Sequence, residues 1–228
     1  NMNDDAMEPN DAGNNQYWHD NVIMNARCGF RLKYITEGPF YAYRNIFIGN
    51  NEDFRIYGEV ELKPAEIYIY HNTCTAEPAI VSNKVYGIGT PNYHFYNNLF
   101  YCNYWWKNTR ESVKPNWSGD NNVYVRRGQN DRWFKTKQLA EELKIDENSK
   151  WITNESPGFV NFENKNLCLT ENSPAVNAGV DLSQLFDEPL PGCQPGYYNG
   201  EAPDAGALEL GSSQSDLLKK YKLQCIVE

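Results

Sequence analysis

The sequence predicts an all-β chain wound as a parallel β-helix and closed at its C-terminal end by a cap holding one short α-helix. Three observations carry that prediction. Asparagine is abundant, 29 of 228 residues. Short β-prone stretches meet at an asparagine again and again, at Asn21, Asn45, Asn72, Asn98 and Asn122, spaced 24, 27, 26 and 24 apart. Apart from one stretch, helix formers are sparse and apolar runs are too short for helices. A repeat of this length built from strand, corner and strand is one coil of a solenoid, because each unit cannot bury its apolar face without its neighbours.

The first coil holds Asp5-Ala6-Met7-Glu8 and then Gln16-Tyr17-Trp18-His19-Asp20-Asn21-Val22-Ile23. The second and third repeat the corner as Tyr43-Arg44-Asn45-Ile46 and Tyr70-His71-Asn72-Thr73. The fourth and fifth follow as Tyr96-Asn97-Asn98-Leu99 and Gly119-Asp120-Asn121-Asn122-Val123. The tight corner is expected to place each asparagine in the left-handed region, which Asn tolerates best after Gly. Stacked asparagines would also bond side chain to side chain along the axis. Aromatic residues recur two or three places before the first four of these asparagines, at Trp18, Tyr43, Tyr70 and Tyr96, which predicts ring stacking between coils.

A second strand column aligns Met7-Glu8, Phe30-Arg31 and Phe54-Arg55 at shifts of 23 and 24. Side chains alternate across a strand, so Met7, Phe30 and Phe54 are expected to point inward. Glu8, Arg31 and Arg55 then share one outward column, and Asn10, Lys33 and Tyr57 the next. Beyond Asn130 the pattern changes. Thr136–Lys144 reads as a helix with Thr136 as N-cap. Pro- and Gly-punctuated segments follow, and a solenoid end must be covered to hide its unpaired strand edges. The expected organisation is coils over 1–130, a C-terminal helix and capping strands over 131–210, and a linker or tail over 211–228. Because the chain opens inside a repeat, further coils are expected to precede it.

Thirty acidic and 21 basic residues give a net charge of −9, with no basic block to bind phosphates, so nucleic acid is excluded as a partner. No apolar run approaches 18 residues, and no membrane-spanning helix is expected. The six cysteines form no C-x-x-C pair and stand beside no His at ligand spacing, which argues against zinc. Buried free thiols are expected, with one long-range disulfide involving Cys168, Cys193 or Cys225 as the alternative. A monomer is expected.

The asparagine-centred coils, the helix, Pro157-Gly158-Phe159-Val160, Ser173-Pro174-Ala175-Val176-Asn177-Ala178-Gly179 and Pro203-Asp204-Ala205-Gly206-Ala207-Leu208-Glu209 resemble the C-terminal part of right-handed parallel β-helix repeat proteins. These belong to the pectate-lyase-like superfamily. The resemblance covers about residues 1–210 and implies an extracellular or cell-surface protein whose partner is a polysaccharide or oligosaccharide. It does not choose among lyases, hydrolases and non-catalytic binding modules.

Three chemical readings stay open. A uronate lyase needs a cation against the substrate carboxylate and a base for the proton alpha to it. Asp4, Asp5 and Asp11 are the candidate Ca2+ ligands. Glu8, Asp5, Arg31 and Lys33 are the candidate catalytic groups, with Arg31 or Lys33 as base or charge stabiliser. Arg55, Tyr57, Trp105 and Trp106 are the candidate substrate contacts, the two tryptophans as part of an exposed aromatic cluster. The opposing reading of the charged column is a solvated ladder with Glu8 paired to Arg31. The second chemistry is glycoside hydrolysis: Asp4-Asp5, His19 and Arg31-Leu32-Lys33 follow the order of the pectin-hydrolysing members, although His19 lacks their flanking glycines. The third is a carbohydrate-binding or structural surface module. His71 and His94 are read as structural.

Overall fold

The computed structural model describes residues 4–8, 15–32, 38–57, 66–83, 92–108, 116–129 and 131–213. The first coil comprises β1 (Asp5–Met7), β2 (Gln16–His19) and β3 (Val22–Met24). The second comprises β4 (Cys28–Leu32), β5 (Phe40–Tyr43) and β6 (Ile46–Ile48), and the third β7 (Phe54–Tyr57), β8 (Glu66–Tyr70) and β9 (Thr73–Cys74). β10 (Ile80–Asn83), β11 (Asn92–Tyr96) and β12 (Leu99–Cys102) form the fourth coil. β13 (Trp106–Asn108), β14 (Trp117–Asp120) and β15 (Val123–Arg126) form the fifth. The chain continues through α1 (Arg132–Leu143), β16 (Lys150–Ile152) and the hairpin strands β17 (Phe159–Asn161) and β18 (Asn166–Leu169).

Corresponding strands of successive coils pair in parallel, making three sheets that run the length of a β-solenoid. Sheet A has the order β1-β4-β7-β10-β13, sheet B the order β14-β11-β8-β5-β2, and sheet C the order β16-β15-β12-β9-β6-β3. The expected register holds: Met7 lies beside Phe30, Phe30 beside Phe54, and Arg31 beside Arg55. Phe30 and Phe54 are fully buried.

The interior is filled by inward columns, one residue per coil. Ile23, Phe47, Cys74, Phe100 and Tyr124 come from sheet C, while Trp18, Ala42, Ile69 and Phe95 come from sheet B. Each fully buried side chain of the Phe or Ile type contributes about 1.5–3 kcal/mol. In the last coils Trp105, Trp106 and Trp117 pack edge-on and tilted against one another at centroid distances of 4.7–5.9 Å. These tryptophans were expected at the surface. Trp105 is instead 1% and Trp106 4% exposed, so a narrow solenoid accommodates them by giving up the smaller residues of the earlier coils.

The asparagine column is a continuous ladder. In each step both the backbone N and Nδ2 of one asparagine donate to Oδ1 of the next, from Asn21 through Asn45, Asn72 and Asn98 to Asn122, at 2.9–3.1 Å. The second Nδ2 hydrogen goes to a carbonyl of the coil, such as Ala42 O for Asn72 at 2.9 Å. The ladder ends on Asp146 and Ser149, which accept from Asn122 Nδ2 and N at 2.7 and 2.9 Å. One expectation is corrected here. The left-handed residue is the one before each asparagine, namely Asp20, Arg44, His71, Asn97 and Asn121, with φ of 50–56°. The asparagine must keep its own N–H and amide aimed along the axis, so its predecessor takes the turn.

The helix begins at Arg132, four residues earlier than predicted, with Asp131 at its N-cap and no side-chain cap. Thr136 is inside it, its Oγ1 donating back to Arg132 O and Trp133 O at 3.1 and 2.9 Å. Trp133 fixes the earlier start: it is buried and meets Trp151 edge-on at 5.5 Å. Leu139, Leu143 and Ile145 pack against the core, so α1 closes the open end of the last coil as expected.

Residues 153–210 do more than cap. They return along the outside of the solenoid as a strap over sheet C and one edge of sheet B. Leu167, Ala207 and Leu208 pack on Ile46 and Ile48, the outward residues of β6. Leu182, Leu190 and Cys193 pack on Tyr43 and Tyr70. At Gly206, where φ is +109°, the strap backbone lies so close that a Cβ would stand 2.8 Å from Thr73 Oγ1. The five described cysteines are free thiols, four of them buried. Cys225 lies outside the described residues.

Candidate functional site

The outward column of sheet A is built as the alternation predicted, but its charges are matched in pairs. Arg31 Nη1 donates to Asp5 Oδ2 at 2.6 Å and stands 4.0 Å from Glu8. In the next coil Arg55 is held by both carboxylate oxygens of Glu52. The Asp5 carboxylate is almost wholly buried under Arg31. Asp5 and Arg31 thus neutralise each other, and this column has the geometry of a self-neutralised ladder.

Asp4 is exposed at the edge of the face, while Lys33 and Asp11 lie outside the described residues. Tyr57 ends β7, and its side chain is likewise outside the description. Among the described residues no group of three His, Cys, Asp or Glu side chains is close enough to hold a metal. Trp105 and Trp106 are core residues and offer no ring to a ligand. His19 is not brought to Asp5 and Arg31. It belongs to sheet B, bonded to Asp20 Oδ2 at 2.7 Å and stacked on Tyr43 at 4.6 Å.

A different constellation stands on the outer face of sheet B. Registered pairing puts Tyr17 beside Tyr41, Tyr41 beside Tyr68, Tyr68 beside His94 and His94 beside Ser118. All are at outward positions of their strands. The rings stack in sequence, with centroid separations of 5.1, 5.3 and 4.4 Å and interplanar angles of 16–18°. Tyr17 is 50% exposed, and Tyr41, Tyr68 and His94 are half-buried. Burial, followed by the neighbouring phenols, pushes the Tyr41 hydroxyl above its ordinary pKa, and burial followed by Glu66 does so for Tyr68. Both hydroxyls are therefore neutral at any physiological pH.

Beside this column runs a polar row, Glu66 of β8, Asn92 of β11 and Asn116 just before β14, again one per coil. Asn116 Nδ2 donates to Asn92 Oδ1, and Asn92 Nδ2 donates to Glu66 Oε1 at 2.5 Å. The other Glu66 oxygen, Oε2, lies 2.5 Å from His94 Nε2, and His94 Nδ1 lies 2.7 Å from Ser118 Oγ. A carboxylate can only accept, so it fixes the hydrogen on Nε2 and leaves Nδ1 to accept from the serine hydroxyl. The Tyr96 side chain stands beside Ser118, and burial raises the pKa of its hydroxyl.

Ser118 and Tyr96 open onto a cleft of about 400 Å3 between the turn after α1 and the strap. Asp120, Lys144 and Asn148 line one side, and Val180 and Leu185 the other. Phe186 walls off the strap side, meeting Tyr68 and Tyr96 edge-on at 5.8 and 5.6 Å.

No protein-family model, curated protein or solved structure matches this chain. The parallel β-solenoid stands on the geometry of the sheets alone.

Sequence reasoning assigned His71 and His94 to the ladder. His71 does sit at the corner, buried. His94 falls four residues before Asn98, at an outward strand position. The signal that finds its partners is the coil period itself, applied to polar residues. It aligns 66 with 92 and 116, and 68 with 94 and 118, which is the observed register.

Proposed function

We propose that this chain is a secreted or surface β-solenoid that binds a polysaccharide along the outer face of sheet B. The observation that carries this reading is the half-open column Tyr17–Tyr41–Tyr68–His94 with the Glu66–Asn92–Asn116 row beside it. Strand spacing in a sheet is about 4.8 Å, so hydroxyls and amides recur at that interval along the axis. An extended polymer lying along the axis meets the same donors and acceptors at each coil, and the partly exposed rings supply apolar contact for sugar C–H surfaces. Neutral hydroxyl and amide groups suit a hydroxyl-rich ligand. The net charge of −9 works against a strongly anionic one, because like charge repels at long range.

A uronate lyase built on Asp5, Glu8 and Arg31 is the less favoured reading, since the 2.6 Å pair between Arg31 and Asp5 occupies the groups it would need. The test is retention in affinity electrophoresis across a panel of neutral, acetylated and uronate polysaccharides. Retention is expected, with Tyr17→Ala weakening it at least threefold at unchanged thermal stability. No retention on any member of the panel contradicts the reading.

A further inference from the structure

The Ser118, His94 and Glu66 side chains do more than line a binding face. Three groups from three successive coils form one relay. The Ser118 hydroxyl donates to His94 Nδ1, and His94 Nε2–H donates to Glu66. Serine, imidazole and carboxylate in hydrogen-bond contact, in that order, is the arrangement that turns a hydroxyl into a nucleophile. The imidazole takes the proton as Oγ attacks, and the carboxylate orients the imidazole and stabilises the imidazolium. A purely structural role does not call for all three. The parallel pairing of β8, β11 and β14 is complete without them, and the positions of Tyr41 and Tyr17 in the same column are filled by phenols. The site is also accessible. Ser118 lines the cleft of about 400 Å3, which has an apolar wall of Val180 and Leu185 and a polar wall of Asp120 and Asn148.

We propose that Ser118, His94 and Glu66 form an acyl-transfer site that hydrolyses short-chain esters, with an O-acyl substituent of a polysaccharide as substrate class. The proposal deepens the binding reading and rests on it only for the polymer that carries the ester. Oγ of Ser118 attacks the ester carbonyl while its proton passes to His94 Nδ1. The Oγ–C bond forms, and the tetrahedral intermediate expels the sugar hydroxyl, which leaves with that proton. Water then gives a proton to His94 and attacks the acyl-serine, releasing the carboxylic acid and restoring the hydroxyl.

The Tyr96 hydroxyl, which lines the cleft beside Ser118, is the donor assigned to the developing oxyanion. Lys144 lines the same cleft. Asp120 and Glu147, which line the cleft, favour an uncharged acyl group over an anionic one. Glu66 is a positioning residue, since it acts through His94.

Two measurements on the whole chain test this. A fluorophosphonate probe followed by peptide mass spectrometry should label Ser118, and p-nitrophenyl acetate should be hydrolysed. Ser118→Ala should abolish both, with at least a 100-fold loss of kcat. Glu66→Gln should lower kcat at least tenfold with KM changed less than twofold, because the imidazole loses its orienting carboxylate while the cleft stays intact. Glu66→Asp should recover part of the rate.

Absence of label on wild-type Ser118, or hydrolysis that survives Ser118→Ala, overturns the proposal. An activated acetate needs no polymer, so failure here leaves polysaccharide retention standing, and failure of retention leaves the esterase result standing.

Discussion

Two neighbouring columns on sheet B are built from the same residue type at the same spacing and meet different fates. His19, Tyr43, Tyr70 and Tyr96 form the column next to the asparagine corner, and Tyr17, Tyr41, Tyr68 and His94 the column two residues earlier in each strand. Both stack ring on ring, with Tyr43 and Tyr70 5.1 Å apart and Tyr17 and Tyr41 also 5.1 Å apart. The middle of the first column, Tyr43 and Tyr70, is sealed by the strap. Tyr70 is 1% exposed, its hydroxyl donates to Pro191 O at 2.7 Å, and Leu182, Leu190 and Cys193 press on it. The second is left half open. Stacking alone therefore does not tell structure from surface; what covers the column decides. A repeat that extends in one dimension makes columns in multiples, and the irregular strap selects which become core and which remain available to a partner.

The comparison can be broken most strongly at the corner from which both columns hang. Asn72→Ala removes a buried acceptor of two hydrogen bonds and a donor to Asn98 Oδ1, Ala42 O and Tyr70 O. With about 1–3 kcal/mol per orphaned buried group, a loss of roughly 4–5 kcal/mol in urea denaturation is expected. A loss under about 1 kcal/mol would show the ladder to be ornamental.

Next comes the sealed column itself. Tyr70→Ala should cost about 3–5 kcal/mol by opening a cavity under the strap. It should also expose Cys193, which is buried in the wild type and whose pKa burial pushes up to about 12, to a thiol reagent at neutral pH. Equal reactivity in the two proteins would separate Tyr70 from the seating of the strap.

A pH dependence marks the same covered region. His71 is buried beneath the strap, where Nε2 faces the Asn97 amide at 3.1 Å and the Tyr197 hydroxyl at 3.3 Å. Burial, followed by the Arg44 charge, pushes its pKa from 6.5 down to about 4. The folded protein thus resists a proton that the unfolded chain takes up below pH 6.5. Stability from this group is full above that value and is lost as pH falls toward 4. Glu209 opposes it: burial and then Asp204 raise its pKa to about 7, so its contribution is full below its unfolded pKa near 4.5 and is lost as pH rises toward 7. His71→Gln isolates the first effect. The wild-type advantage over the variant in urea midpoint should grow from pH 4 to pH 7, on the order of 3 kcal/mol. Parallel curves would contradict the burial of a neutral imidazole.

The smallest effect belongs to the open column. Tyr17→Ala should change stability by about 0.5 kcal/mol or less, since half of the ring already faces water. A cost comparable with that of Tyr70→Ala would erase the distinction.

The period and the asparagine corners were legible in the sequence because each coil must satisfy the same buried amides, and that constraint repeats in register. The alternation of Phe30 and Phe54 inward with Arg31 and Arg55 outward was legible for the same reason. Coverage was not. The strap has no period of its own, so nothing in residues 153–210 foretells that Leu182 seals Tyr70 while Tyr17 stays open. The tryptophans misled for a related reason: a run such as Trp105-Trp106 reads as excess aromatic surface unless the inward columns of the last coils are known to hold them. The corner dihedral was displaced by one residue, because the hydrogen bonds of Asn72 require it to keep its extended neighbours in line and His71 to turn. The pairs Glu66–His94 and His94–Ser118 follow from the same period, but a histidine near a ladder reads as part of it until its strand position is known.

The most direct test of the distinction between the columns is ring-labelled tyrosine NMR during titration with a retained oligosaccharide. The Tyr17, Tyr41 and Tyr68 ring signals should shift in a saturable way, while those of Tyr43 and Tyr70 stay fixed. Shifts confined to Tyr43 and Tyr70, or no tyrosine shift at saturating ligand, would contradict the assignment of the open face of sheet B as the binding surface.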